Sequence, residues 1–97
     1  MQFMVSVILA PEKAGSPPPQ QLVEAEFEAV RRHYMGGVIR QIWLRADGSG
    51  GIILAEADSA ESVAGTFGSL PMVRAGILQA PDIVPLAPYW GFAPRGS

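Results

Sequence analysis

Residues 37–57, GVIRQIWLRADGSGGIILAEA, limit the possible folds more than any other stretch. Val38 to Arg45 is rich in β-branched and aromatic residues, Asp47-Gly48-Ser49-Gly50 supplies the backbone freedom of a tight turn, and Gly51 to Ala57 returns as a second apolar run. This is the pattern of a β-hairpin. A loop with an even number of residues sets Arg45 opposite Ile52, Trp43 opposite Leu54 and Gln41 opposite Glu56. The other face then pairs Leu44 with Ile53 and Ile42 with Ala55, and is wholly apolar. The first face mixes an indole, aliphatic groups, an amide, a guanidinium and a carboxylate, which suits the wall of a ligand chamber better than a dry core.

The flanking segments fit around this hairpin. Residues 2–9 alternate, with Phe3, Val5, Val7 and Leu9 on one side and Gln2, Met4, Ser6 and Ile8 on the other, which predicts a first strand. Three consecutive prolines make 11–19 a loop. A helix is expected over 20–35, with Val23, Phe27, Val30 and Tyr34 as its buried stripe. Glu24, Glu26, Glu28, Arg31 and Arg32 are expected to face water, with Glu28 and Arg32 paired at four residues' separation. Gly36-Gly37 ends the helix. Asp58-Ser59-Ala60-Glu61 has capping-box spacing, so a second helix is expected over 59–69 on a stripe of Val63, Phe67 and Leu70, with Pro71 ending it or opening a short separate segment. A fourth strand over 76–83 contains Pro81, which places it at the sheet's rim.

The order βαββαβ gives an α+β fold of ferredoxin-like type: an antiparallel four-stranded sheet with two helices on one face. Phe3, Val5, Ile42, Leu44, Ile53 and Ala55 are expected beneath the helices, and Met4, Ser6, Ile8, Trp43, Ile52 and Leu54 on the uncovered face. An uncovered apolar face calls for a second sheet from another subunit. The 97 residues allow one domain, expected over 1–94, and 95–97 (Arg-Gly-Ser) reads as an expression-tag remnant. Apolar residues are 48% of the chain and charged ones only 16%, a balance that also favours burial in a homodimer or larger homo-oligomer. A formal charge of −2 without a basic stripe argues against nucleic acid. No run approaches a membrane span, and the expected location is the cytoplasm. The chain has no cysteine, which excludes disulfide and thiolate chemistry, and its one histidine makes a metal site improbable.

The stretch Gly37-Val-Ile-Arg40-Gln-Ile-Trp43, then Asp58-Ser59-Ala60-Glu61, then Thr66 and Leu70-Pro71, resembles muconolactone isomerase and its relatives among the dimeric α+β barrel proteins. Phe3 and Val5 fit the opening strand of that pattern. The resemblance implies a barrel closed by two sheets, assembly into larger rings, and isomerisation of an unsaturated lactone by proton movement between carbons without a metal or organic cofactor. The chain departs from the enzyme in having Met4 and Ser6 where polar or ionisable groups are expected. Its segment 76–82 also lacks the more acidic character of the enzyme's last strand.

Within this frame Glu56 is the candidate general base, since apolar walls would raise its pKa; its alternative is a solvated carboxylate at a strand end. Arg45 offers two parallel donors to a substrate carboxylate or an enolate, or is a surface arginine beside the turn. His33 is a candidate acid, or a cation favoured by the end of its helix. Trp43, Gln41, Arg40, Ser6, Met4 and Leu54 are expected to line the substrate site. Tyr89, Trp90 and Phe92 are expected to dock on a neighbouring subunit, or to fold back on their own sheet. The expected function is a cofactor-independent isomerase or related tailoring enzyme acting on a small lactone- or carbonyl-bearing molecule. The alternatives are a cofactor-free monooxygenase of an aromatic or polyketide substrate, and a non-catalytic ligand-binding oligomer.

Overall fold

A computed structural model describes residues 1–13, 15–92 and 94; the segment read as a tag remnant lies outside them. The elements are β1 (Gln2–Ile8), α1 (Gln20–Met35), β2 (Ile39–Leu44), β3 (Gly50–Glu56), α2 (Ala60–Gly68), α3 (Pro71–Arg74) and β4 (Asp82–Leu86). All strand pairs are antiparallel and the order across the sheet is β2-β3-β1-β4. Phe3, Val5, Ile53 and Ala55 lie buried beneath the helices, packed with Ala29 of α1 and Val63 and Phe67 of α2. The sequence phase holds for β1 and β3, with Trp43 and Met4 on the opposite, uncovered side. Ile42 and Leu44, expected beneath the helices, are instead 38% and 85% exposed, because they lie on the edge strand β2, where α1 does not cover them.

The hairpin keeps its faces but not its register. Trp43 pairs with Ile52, Gln41 with Leu54 and Ile42 with Ile53, a slip of two residues from the expected partners. The turn is shorter than the run of glycines suggests. Arg45 N–H already donates to Gly50 O at 2.8 Å, and Asp47 Oδ1 accepts both the Ser49 N–H and its hydroxyl, closing the loop over 46–49. A slip of two preserves facing because strand side chains alternate with period two. Gly50 sits where a Cβ would collide with the Val7 carbonyl, so β1 can approach only a glycine. At the other end of β2 the register shifts between Ile39 and Gln41, leaving Arg40 as the extra residue of a bulge. Arg40, expected to line the substrate site, is exposed at this bulge.

Helix α1 occupies the expected residues but seats one position round. Glu26 and Ala29 are its buried residues, whereas Phe27 is 59% and Tyr34 58% exposed. Alanine at position 29 lets the helix approach the sheet more closely than a phenylalanine would. The expected Glu28–Arg32 pair is replaced by Glu28–Arg31 at 3.5 Å, on the exposed side. The chain leaves α1 through Gly37 at φ +87°, with the Val38 N–H on the His33 carbonyl. Helix α2 is capped by Ser59, whose Oγ accepts the Ser62 N–H at 3.1 Å, one residue later than the capping-box spacing proposes. Val63, Phe67 and Leu70 are buried as expected, and Pro71 opens the short α3.

The fourth strand begins six residues later than expected. Leu78 makes a single bridge to Leu9, and the ladder resumes only at Asp82, beyond Pro81, which has no N–H to contribute. The strand does lie at the rim, where Pro85 is tolerated opposite Phe3. The tail beyond it projects from the sheet. Tyr89 stacks on Trp90 at 5.9 Å and meets Phe92 edge-on at 5.0 Å, and all three rings are exposed rather than folded back.

Candidate active site

The sheet has two faces, and the chemically distinctive residues divide between them. On the uncovered face three apolar side chains are exposed, Met4 on the central strand β1 and Trp43 and Val84 on the two edge strands, with Trp43 50% exposed. Arg45 reaches across this face from the turn end, and its Nη2 donates to Ser6 Oγ at 3.2 Å. Its Nε is buried without an acceptor among the described residues. Asp82 stands opposite Ser6 on β4, bringing a carboxylate into the same row, which the misplaced strand start concealed.

Glu56 belongs to the far end of this face. It pairs with Gln2 on β1, four residues from Ser6, or roughly 13 Å along the strand. Its Oε2 accepts from the Met1 ammonium at 2.5 Å. That hydrogen bond, aided by the charges of Met1 and Arg40, holds the Glu56 carboxyl below its ordinary 4.5. The expectation that apolar walls raise it is overturned. Gln41 lies across from Leu54 rather than Glu56, and its Oε1 accepts the Ile42 N–H. The Arg40 Nε donates to the Gly37 carbonyl at 2.8 Å.

His33 lies in the helical layer, with its ring 6.4 Å from Phe67 in the core. Burial, then the neighbouring Arg32 charge, push its imidazole below the ordinary 6.5, opposite to the preference for a cation expected from the helix end. The structure thus does not bring Glu56, Arg45 and His33 together.

What it does assemble is a cavity of about 370 Å³ between α1 and the covered side of the sheet. Val7, Ile42, Leu44 and Ile53 form its floor, Phe27 and Val30 its roof, and Leu70, Met72 and Leu78 one end, with Gly48, Gly50 and Gly51 of the hairpin at the other. Among the described residues the one ionisable lining group is Glu26, 9% exposed. Its Oε1 accepts the Met72 N–H at 3.0 Å, in the first turn of α3. Burial raises its carboxyl above the ordinary 4.5, and the Met72 hydrogen bond only partly offsets this. A buried carboxylate with a raised pKa beside an apolar chamber of ligand size marks a candidate functional site. Glu26 was expected to face water, yet the signal was present. It falls three residues after Val23 and four before Val30, on the stripe itself.

Among the described residues no three His, Asp or Glu side chains gather as a metal-binding group, and no helix is long and apolar enough to cross a membrane.

Solved structures of other proteins share this fold. A crystal structure of muconolactone isomerase matches with a TM-score of 0.76 at 21% identity, over 94% of this chain and 93% of that one. The 5-chloro-2-hydroxyhydroquinone dehydrochlorinase of Burkholderia phenoliruptrix AC1100, in complex with 2,5-dihydroxybenzoquinone, matches with a TM-score of 0.65 at 15% identity, over 90% and 94%. No protein-family model and no curated protein sequence matches the chain. The chain has a muconolactone isomerase-like α+β fold.

Proposed function

We propose that this chain is a small-molecule enzyme of the proton-transfer kind, an isomerase or related tailoring enzyme of a lactone- or carbonyl-bearing compound, with Glu26 as its general base. The observation that carries this reading is the Glu26 carboxylate, buried on the wall of the cavity and shifted toward neutral pH. The Met72 N–H holds Oε1 and orients the group, leaving Oε2 to take a proton from a carbon conjugated to a carbonyl. The electron pair passes into the carbonyl as an enolate. Return of the proton to a different carbon completes an isomerisation; loss of a leaving group from the adjacent carbon completes an elimination. The two fold neighbours, an isomerase and a dehydrochlorinase, carry names that fit these two outcomes. Arg45 and His33 do not line this cavity, so neither the donor role expected of Arg45 nor the acid role expected of His33 is supplied there.

The partner in this reading is a second copy of the chain. The bare face carrying Met4, Trp43 and Val84 supports sheet-on-sheet pairing, and the exposed tail aromatics support docking on a neighbour. In such a barrel Met4, Trp43, Gln41 and Leu54 line the space between sheets, with Arg45 and Ser6 at one end and Glu56 and Arg40 at the other. The test of the base is solvent-deuterium incorporation into candidate butenolides, followed by NMR. Wild-type protein should catalyse it and Glu26→Gln should not; undiminished exchange in the variant would falsify the assignment. Binding without any exchange in the wild type would favour a ligand-binding oligomer instead.

A further inference from the structure

We propose that the substrate of this cavity is electrically neutral: an alkyl-bearing lactone or unsaturated ketone that carries no carboxylate. This rests on the reading of the cavity as the active site and adds its selectivity. Apart from Glu26, every described lining group is aliphatic, aromatic, thioether or glycine, with no Lys, Arg or His among them. Three of the described arginines have partners away from this lining. Arg45 donates to Ser6 on the opposite face of the sheet, Arg40 to Gly37, and Arg31 to Glu28 on the exposed side of α1.

An anionic ligand would therefore enter apolar surroundings beside a second carboxylate, with no counter-charge on the lining. Two like charges so placed cannot both stay ionised. If Glu26 took the proton, it could no longer accept one from the substrate. If the ligand stayed charged, it would lose its hydration without replacement. A neutral molecule avoids both penalties, and its alkyl chain gains from the aliphatic walls. The entrance leads to the same conclusion. Phe27 and the 85% exposed Leu44 both line the cavity, so its open side presents apolar groups to an arriving ligand.

The experiment compares a γ-carboxymethyl butenolide, its methyl ester and a series of γ-alkyl butenolides on the wild-type chain. Binding is read from the methyl NMR signals of Val30, Ile53 and Leu78. The ester and the alkyl series should shift these signals, with affinity rising about fourfold per added methylene until the space is filled. The acid should bind more weakly by about tenfold or more, the equivalent of one pKa unit of like-charge interaction. An acid that binds as tightly as its ester, or a set of butenolides none of which moves these methyls, overturns the proposal. Leu44→Arg places a cation at the entrance and should raise the affinity of the acid relative to the ester; an unchanged ratio also counts against it. Failure of the base assignment looks different. Deuterium exchange that survives Glu26→Gln, with the ester still preferred to the acid, removes Glu26 as the base and leaves the substrate class standing.

Discussion

Replacing Glu26 by glutamine removes a charge that burial disfavours and keeps an oxygen for the Met72 N–H, 3.0 Å away. Because the folded-state pKa lies above the ordinary 4.5, the unfolded chain releases this proton first as pH rises. The stability contributed by the protonated side chain is whole below that ordinary value and is lost as pH climbs through the raised one. At neutral pH the wild type bears the full penalty. Glu26→Gln should therefore be more stable at pH 7 by about 1 kcal/mol, or roughly 4–8 °C in Tm, with a gain that closes on acidification. Thermal melts of both proteins across pH would check this. The same variant should lose about 10²–10⁴-fold in turnover. In the wild type kcat/KM should rise with pH through the raised pKa and then level off. Glu56 should behave oppositely: a carboxyl NMR titration should find it below 4.5 and Glu26 above.

Among the elements, the cap and the close approach are the vulnerable points. Ser59→Ala removes the one side-chain acceptor at the start of α2 and should cost about 1 kcal/mol in a denaturant melt. Gly50→Ala should cost more, about 2 kcal/mol or above, since the new methyl meets the Val7 backbone rather than a side chain that can turn aside. Most elements were legible in the sequence because each satisfied two independent signals. For α1 and α2 these were periodicity and a terminus; for the hairpin, alternation and a turn. What failed had only one signal, or two in conflict. The glycines around residue 50 hid the shorter loop, whose closure depends on the Asp47 side chain. Two adjacent stripes on α1 both had helical spacing, and the larger side chains, Phe27 and Tyr34, suggested the wrong one. Closeness of approach, which favours Ala29, is a tertiary property with no mark in the local pattern. The candidate site suffered from the same error, because turning α1 one position outward also turned Glu26 out to solvent.

For the molecule as a whole, the described surface leaves Met4, Trp43 and Val84 bare on one side and Tyr89, Trp90 and Phe92 bare at one end. Sheet-to-sheet pairing of two copies should appear as a dimer or larger species in sedimentation velocity. Trp43→Lys should shift that distribution to monomer without unfolding the chain, because the indole makes no part of the buried core. A monomeric wild type would sink the pairing. The chain has only two tryptophans, and they stand on the two surfaces in question: Trp43 on the uncovered face at the edge strand β2 and Trp90, 81% exposed, on the tail. Each indole is thus an emission probe for a different contact. Acrylamide quenching of Trp43→Phe and Trp90→Phe proteins, followed over a dilution series, would distinguish whether sheet and tail are shielded together or whether one lets go of its neighbour before the other.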